Sequence, residues 1–191
     1  MNEPTMFKDP PKLKCFVEVS KLFENCDPEV MYTLATFFHA HDLLWKQKLA
    51  HCAESGISHG RFMILVLLMN KDQIQGDSSW ITASTPAELA DLAQISRASV
   101  TGLLDSLEKD GFVCRKHDTS DRRTVSIYLT EQGQEFLDKF LPPHFKMMSK
   151  LMNVLEREEQ AQLLLLLEKL ASGVSELVNA ESKDGSDGKN I

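Results

Sequence analysis

The segment from Thr85 to Leu129 constrains the fold of this chain more than any other part of its sequence. It opens with the capping box Thr85-Pro86-Ala87-Glu88, which has proline at the first helical position and predicts a helix start. That helix is short and stops at Gln94-Ile95, and the next residue, Ser96, can cap a second helix over residues 97–110. Two short helices joined by so tight a turn predict a helix-turn-helix.

The residues after Gly111 predict a β-hairpin. Apolar and polar residues alternate over 112–117 and again over 124–129, which is the period of a half-buried strand. The connection between the two runs, residues 118–123, is polar and ends in two adjacent arginines. A helix-turn-helix followed by a hairpin is a winged helix, in which the hairpin is the wing.

The second helix of this motif has one apolar side and one polar side. Val100, Leu103, Leu104 and Leu107 predict its buried stripe. The outward side near its N-terminus then carries small hydroxyls, one arginine and one glycine: Ser96, Arg97, Ser99, Thr101 and Gly102. Together with the positive end of the helix dipole, this surface suits a groove lined with phosphates.

The basic residues of the hairpin suit the same kind of partner. An arginine at the wing tip can enter a narrow, electronegative minor groove, and Asp121 can hold a neighbouring guanidinium in place. Arg123 can be that braced residue while Arg122 reaches the groove, or both arginines can reach it. We expect Arg115 and Lys116 either to contact phosphates or to be solvated strand charges.

A long helix is predicted before the winged helix. Asp27-Pro28-Glu29 is a strong start for a helix that runs to about Glu54 and stops at Gly56, and its apolar residues spread wider than one stripe. A short amphipathic helix is expected over residues 12–24, after a proline-containing start to the chain.

The winged helix itself begins with Ser58, which starts an almost wholly apolar helix over residues 61–70. Its position in the chain and its apolar composition predict a central place in the core. The stretch 74–84 is expected to be a loop with one short strand around 80–82.

Two further helices are predicted after the wing. The first begins at Glu131, and Pro142-Pro143 is expected to bend or break it because proline lacks the backbone N–H and clashes with the preceding turn. The last helix, over residues 156–178, carries five consecutive leucines, Leu163–Leu167. Five in a row cover every side of a helix, and a second subunit is the simplest source of the partners they need.

The composition excludes several classes of protein. A formal charge of −7 argues against a protein that coats nucleic acid nonspecifically, although a local basic site can sit on an acidic body. The longest uncharged apolar run, residues 62–69, is far below the ~20 residues of a membrane helix, and the N-terminus lacks a signal-peptide layout, so we expect no membrane partner and a cytoplasmic location. The sequence also has no phosphate loop, nucleotide fingerprint, hydrolase motif or metal motif, which argues against an enzyme and predicts no cofactor and no metal site.

The ordered combination of these motifs resembles the MarR family of transcriptional regulators. The resemblance rests on AELADLAQISRASVTGLLDSLEKDGFVCRK and DTSDRRTVSIYLTEQG, with one long helix before and two after, and it covers residues 27–179. It implies a homodimer with interlocked N- and C-terminal helices, bound to a near-palindromic operator in double-stranded DNA, and in most cases a repressor. It also implies that residues 96–102 lie in the major groove and that Arg122 and Arg123 lie at the minor groove. Gly102 departs from the family, because many relatives carry arginine there.

The predicted fold is therefore mainly α with a small β-hairpin, a winged helix-turn-helix between long dimerisation helices. The expected parts are an N-terminal extension (1–26), a dimerisation helix (27–57), the DNA-binding domain (58–130), C-terminal dimerisation helices (131–180) and a disordered tail (181–191).

The resemblance also implies release from DNA, either by a small molecule or by thiol oxidation. A pocket for a small aromatic or anionic effector is expected between the dimer helices and the winged lobe, with His41, Trp45, His59 and Arg61 as candidate contacts. The alternative for these residues is that Trp45 belongs to the core and Arg61 is a surface charge.

Thiol sensing is a second possibility for this chain, because Cys15 and Cys26 lie near the first dimer helix, where the oxidation-sensing members carry their reactive cysteine. A third hypothesis is a winged helix that binds only protein. It is suggested by the charge of residues 85–130, whose six basic and seven acidic residues give no net positive charge for binding DNA.

Overall fold

The computed structural model of the chain describes residues 9–69, 85–117 and 125–184. Within these ranges the fold is mostly helical with one small antiparallel sheet, which confirms the predicted fold class. In chain order the elements are α1 (Leu13–Ser20), α2 (Pro28–Glu54), α3 (His59–Leu67), α4 (Pro86–Ala93), α5 (Arg97–Lys109), β1 (Val113–His117), β2 (Val125–Leu129), α6 (Glu131–Met152) and α7 (Arg157–Asp184). The strand expected around residues 80–82 lies outside the described residues.

The predicted N-caps fix where the helices begin. The side chain of Asp27 accepts hydrogen bonds from the backbone N–H groups of Glu29 and Val30, and Ser58 accepts one from Arg61. At the start of α4, Thr85 and Glu88 form both halves of the capping box. Ser96 accepts from the N–H of the third helical residue and so starts α5 directly after the turn. These caps satisfy N–H groups that have no partner inside a helix.

Residues in the left-handed region end three of the helices. Gln94 has φ +51° at the end of α4, and this conformation turns the chain into α5 within two residues. Gly56 follows α2 with φ +72° and Gly111 follows α5 with φ +77°. Glycine is favoured at the latter two positions because a Cβ is strained there.

The core of the winged lobe is built from α3, α4, α5, the hairpin and α6. Val100, Leu104 and Leu107, three of the four residues predicted as the buried stripe of α5, are fully buried, and Leu103 is partly buried. Helices α3 and α4 and the later elements supply the residues that cover this stripe: Ile64, Leu65, Leu89, Ile127 and Leu137.

Helix α6 continues through Pro142-Pro143, so the expected break does not occur. Residues on both sides of the prolines are held by packing: Phe140 and His144 are buried, and the Phe140 ring lies 4.6 Å from that of Phe62. This packing offsets the hydrogen bonds that two prolines remove. Helix α7 also differs from expectation, because it reaches Asp184 and enters the segment predicted to be disordered. Alanine, glutamate and lysine favour helix, so a polar composition alone does not end it.

The chain divides into two compact units, one ending at His144 and the other beginning at Phe145. The first unit therefore includes the start of α6 as well as the predicted DNA-binding domain. In the second unit, no residue of α7 up to Ala180 is buried. Among the described residues, no helix is long and apolar enough to cross a membrane.

Candidate nucleic-acid interface

The outward face of α5 is as the sequence predicts. Arg97, Ser99, Thr101 and Gly102 are exposed, and so is the N-cap Ser96. Because the opposite side of the helix is buried in the core of the lobe, this face and the helix N-terminus are held rigidly toward solvent. The structure therefore brings five of the predicted site residues together on one surface.

The hydroxyl groups of this face are partly engaged within the helix. Ser96 Oγ lies 2.8 Å from Ser99 Oγ and accepts from the Ser99 backbone N–H at 3.1 Å. Thr101 Oγ1 donates to the Arg97 carbonyl oxygen at 2.9 Å. A phosphate oxygen only accepts hydrogen bonds, so Thr101 in this rotamer has no hydrogen to offer it. The Arg97 guanidinium and the helix end are consequently the strongest donors on the face.

Gly102 leaves a gap in the same surface. A Cβ built there would meet no atom within 4 Å, so the space is open. The neighbouring Ala98 is also exposed, and its methyl group is suited to contact a thymine methyl. Residue type alone gave no reason to choose Ala98, and only its position on the exposed helical face reveals it.

Arg115 and Lys116 have different surroundings although they are adjacent. Arg115 forms ion pairs with two carboxylates of α5, at 2.6 Å to Asp105 and 2.8 Å to Glu108. Lys116 is exposed, and its Nζ lies 4.9 Å from the centre of the Tyr128 ring. Of the two predicted phosphate contacts, Lys116 alone is a solvent-facing strand charge.

The tip of the wing cannot be placed in the same way. Asp121, Arg122 and Arg123 lie outside the described residues, so the predicted brace and minor-groove contacts remain predictions. The strands that carry the tip are defined, with Val113 opposite Leu129 and His117 opposite Val125.

The motif Leu129-Thr130-x-x-Gly133 joins the foot of the wing to α5 and α6. Thr130 Oγ1 donates to the Gly111 carbonyl at 2.6 Å and accepts from the Gly133 N–H at 3.0 Å, which caps α6. A Cβ on Gly133 would lie 2.2 Å from the Phe112 carbonyl oxygen, so only glycine allows this close approach. The motif therefore has a structural role, which its spacing in the sequence does not reveal.

The four predicted effector contacts separate into two groups. His41 stacks on Trp45 with ring centres 6.1 Å apart, and the His59 ring meets Trp45 edge-on at 4.6 Å. Arg61 instead donates through Nη2 to the Asp110 carboxylate at the end of α5, and its side chain is only 15% exposed. Trp45 is 39% exposed, so it is not a core residue, and Arg61 is not a free surface charge.

Histidines crowd the region where α2 meets α3 and α6. The His51 and His144 rings are 5.4 Å apart, and Phe62 and Phe140 pack beside them. Burial, with smaller contributions from Lys48 and His144, lowers the pKa of His59 to about 4. Burial, His51 and Lys48 also lower the pKa of His144. Both imidazoles are therefore held neutral at ordinary pH.

The cysteines show no shared site. Cys15 is exposed, Cys26 is half-buried and Cys52 is buried, where burial raises the pKa of its thiol and disfavours the reactive thiolate. Thiol sensing through Cys15 or Cys26 remains a prediction. Among the residues that the structure describes, no three His, Cys, Asp or Glu side chains are grouped to hold a metal ion.

Comparison with known proteins identifies relatives of this geometry. The sequence profile of the MarR family matches residues 57–125. The HTH-type transcriptional repressor YetL of Bacillus subtilis (strain 168) is 36% identical over 82% of this chain and 89% of its own length. The transcriptional repressor MprA of Escherichia coli (strain K12) is 32% identical over 64% of this chain and 65% of its own length. Among solved structures, Sco3205 of Streptomyces coelicolor, described as a MarR family transcriptional regulator in complex with DNA, is 25% identical with a TM-score of 0.63, over 77% of this chain and 88% of that one.

Proposed function

Because this chain belongs to the MarR family and is a DNA-binding transcriptional regulator, we propose that it acts as a homodimeric repressor of a near-palindromic operator. The observation that carries the proposal is the exposed N-terminal face of α5, a surface of hydroxyls and one arginine held outward by a buried apolar stripe. Repression is favoured because YetL and MprA are both named transcriptional repressors. The proposed site of action is the cytoplasm, which holds the DNA in bacteria such as those of YetL and MprA.

The proposed contacts divide between positioning and base reading. The N-terminus of α5, together with the Ser96 and Ser99 hydroxyls, binds phosphates and fixes the register of the helix in the major groove. Arg97 reads base edges, because its two-pronged donor pattern matches guanine. Thr101 acts as an acceptor or a methyl contact, since its hydrogen is bonded to the Arg97 carbonyl. Gly102 lets the helix approach the groove closely.

The wing adds affinity that does not depend strongly on sequence. Arg122 and Arg123 at its tip enter the minor groove with Asp121 as the brace, and Lys116 contacts a phosphate from the solvent-facing side of β1. Such contacts release counterions, so their contribution falls as salt rises. Arg115 is left out of this set, because its guanidinium is already bound by two carboxylates.

Dimerisation is proposed from the apolar surface of the long helices. Leu164, Leu165 and Leu166 of α7 are each more than half exposed, and Val30, Phe38 and Leu43 of α2 are at least half exposed. Apolar faces of this extent are covered in soluble proteins, and a second copy of the chain is the occupant that the family implies. Two chains then present two α5 helices to successive major grooves, about 10 base pairs apart.

Release from DNA is proposed to follow binding of a small aromatic or anionic effector. His41 stacks on Trp45, and His59, at the start of α3, meets the Trp45 ring edge-on; this cluster of rings suits an aromatic compound. Arg61, the predicted anion contact, would have to exchange its bond to Asp110 for one to the effector. That exchange would free the C-terminal end of α5 and so alter the DNA-binding surface.

The test is a gel-shift titration with the DNA upstream of the chain's own gene. Arg97→Ala is expected to weaken operator binding by about 1–3 kcal/mol and to relax the preference for one base pair of each half-site. Arg157→Ala removes the same charge at the start of α7 and serves as the matched control, with binding expected to remain at the wild-type level. If Arg97→Ala and Arg157→Ala bind alike, α5 is not the reading helix.

A second titration addresses the wing. The double change Arg122→Ala, Arg123→Ala is expected to lower the slope of log affinity against log salt by about 2. Binding that survives this change undiminished would remove the wing from the proposal. A chain that binds no duplex at low salt would favour the protein-binding alternative.

A further inference from the structure

The side of the wing that faces the core carries a charged residue. Val113 and Arg115 lie on the same face of β1, because side chains two residues apart point the same way. Arg115 pairs in register with Ile127, so these two side chains share that face. Both Val113 and Ile127 are only 2% exposed, which identifies the face as the one packed on the core of the lobe. The position of Arg115 therefore directs its side chain toward α5 and away from solvent.

On α5 this arginine meets a matched pair of acidic residues. Asp105 and Glu108 are three residues apart and lie on neighbouring positions of one helical face. Arg115 Nη2 donates to Asp105, Nη1 donates to Glu108, and the Arg115 backbone N–H donates to the second carboxylate at 3.2 Å. Three hydrogen bonds from one residue to two side chains on another element define the distance and the angle between β1 and α5.

The foot of the wing is fixed separately. Thr130 bonds to the Gly111 carbonyl, and Gln132 Nε2 donates to the Asp110 carbonyl at 3.2 Å. Besides the apolar packing of Val113 and Ile127, a second polar attachment farther along β1 fixes the direction of the hairpin relative to α5. Arg115 supplies that second attachment, two residues from the last described residue before the wing tip.

Stability alone does not explain this arrangement. The three side chains remain partly solvated, with 30% of Arg115, 59% of Asp105 and 38% of Glu108 exposed, and ion pairs in water contribute little to folding. Placing two carboxylates on the DNA-reading helix is also unfavourable near phosphates. Their presence on this helix is explained by their ion pairs with the arginine of the wing.

We propose that Arg115 is a positioning residue for DNA recognition, which locks the wing to α5 through Asp105 and Glu108 and so sets the span between the wing tip and the reading end of the helix. The inference rests on the proposed wing contact with DNA. It makes Glu108 a partner in recognition although its negative charge has the same sign as that of DNA. It also separates Arg115 from Lys116, which the sequence places in one class.

The experiment measures operator binding by Arg115→Gln, Glu108→Gln and the double variant, each over a range of salt. Arg115→Gln removes the guanidinium that both carboxylates bind, so it is expected to weaken binding about tenfold. Glu108→Gln removes one of the two ion pairs and is expected to weaken binding less, and the double variant is expected to be no weaker than Arg115→Gln. Lys116→Gln is the matched control on the solvent-facing side of β1 and is expected to lower the salt slope by about 1. The Arg115→Gln and Glu108→Gln variants are also expected to lose discrimination between A·T and G·C pairs in the wing-contacted flank, while the half-site preference read by α5 stays the same.

Two results would overturn the inference. In the first, Glu108→Gln binds the operator more tightly, whereas Arg115→Gln binds it more weakly and has a salt slope reduced by about 1. This pattern would identify Arg115 as a phosphate contact and Glu108 as a neighbouring charge that repels the phosphate. The other is unchanged flank discrimination in both variants. Should Arg115→Gln fail to fold, Arg115→Lys gives the answer, because lysine keeps the charge but cannot bind both carboxylates as a fork. Full binding by Arg115→Lys contradicts the positioning role, and loss of flank discrimination supports it. A wild-type chain that binds no operator would instead refute the proposed function.

Discussion

Leucine side chains have different surroundings in the winged lobe and in helix α7. In the lobe, Leu89, Leu104 and Leu107 are fully buried within one chain, and the polar groups at the ends of α4 and α5 are capped locally. Along α7, Leu165 and Leu166 are 66% and 65% exposed. The lobe therefore has a core of its own, whereas the leucines of α7 remain exposed in the single chain. Under the proposed function, reading DNA is a local property of the lobe, and the long helices set the spacing between two lobes.

The largest effect is expected from changes to the exposed leucines of α7. The double change Leu165→Arg, Leu166→Arg places two charges on the proposed interface, where their burial is unfavourable. We expect the dimer dissociation constant to rise at least about 100-fold, equivalent to ~2.8 kcal/mol, with a parallel loss of operator binding. Sedimentation equilibrium measures the first effect and a gel shift the second.

The control for that change is Val154→Arg, in the connection before α7. Val154 is 81% exposed, more than either leucine, but it does not lie on the helix. It is expected to leave the mass of the dimer unchanged. A dimer that persists in the double leucine variant would show that the exposed leucines of α7 have another purpose.

Gly133→Ala tests the packing within the winged lobe, where the foot of the wing meets α6. The new Cβ would lie 2.2 Å from the Phe112 carbonyl oxygen, a backbone atom that can move only with the foot of the wing. We expect the free energy of unfolding to fall by about 2–4 kcal/mol, measured by urea denaturation. An effect below the error of the measurement would mean that the join between α5, the wing and α6 is looser than described.

The meeting point of α2 with the lobe is expected to respond to pH. The folded-state pKa of His59 is about 4 because of burial, Lys48 and His144, against about 6.5 in the unfolded chain. The unfolded state thus binds more protons between these values, and stability is fully present above pH 6.5 and lost as pH falls toward 4. Allowing for solvent screening, we expect a loss on the order of 1–2 kcal/mol.

Urea denaturation at several pH values measures this loss. His59→Leu is expected to flatten the dependence between pH 6.5 and 4, and His39→Asn, on α2, serves as the control. Lys48 on α2 and His51 and His144 beside the same cluster are the other basic groups that face this region. An identical slope in wild type and His59→Leu would contradict the assignment.

The smallest effect is expected at Gly102, where the lobe's reading surface has open space. Gly102→Ala should raise the free energy of unfolding by about 0.5–1 kcal/mol, because glycine is the poorer helix former and the new methyl meets nothing within 4 Å. Gly102→Arg should in addition steepen the salt dependence of DNA binding by about 1, since it adds one phosphate contact. A destabilised Gly102→Ala variant would show that the site is more crowded than the structure describes.

The sequence predicted the parts of this molecule that depend on local chemistry. Caps such as Asp27, Thr85 and Ser96 act within four residues, so the starts of α2, α4 and α5 were predictable to the residue. The buried stripe of α5 follows from helical spacing alone. The exposed face of the same helix was predictable for the same reason.

Contacts between distant residues were not predictable from a single sequence. Arg61 was expected to meet a ligand carboxylate but meets Asp110, 49 residues away. Arg115 was grouped with Lys116 because both are basic, although alternation along β1 with Val113 could have placed it on the core side. Helix α6 continues through Pro142 because of packing, which propensity does not describe.

Under the proposed function, two chains hold two winged lobes on one operator. Its most direct test is the mass of the complex formed on a duplex with two half-sites centred about 10 base pairs apart, measured by analytical ultracentrifugation at low salt. We predict two chains per duplex, and two chains per particle in the absence of DNA. A single chain bound to the duplex, or a monomer that ignores it, would contradict the claim.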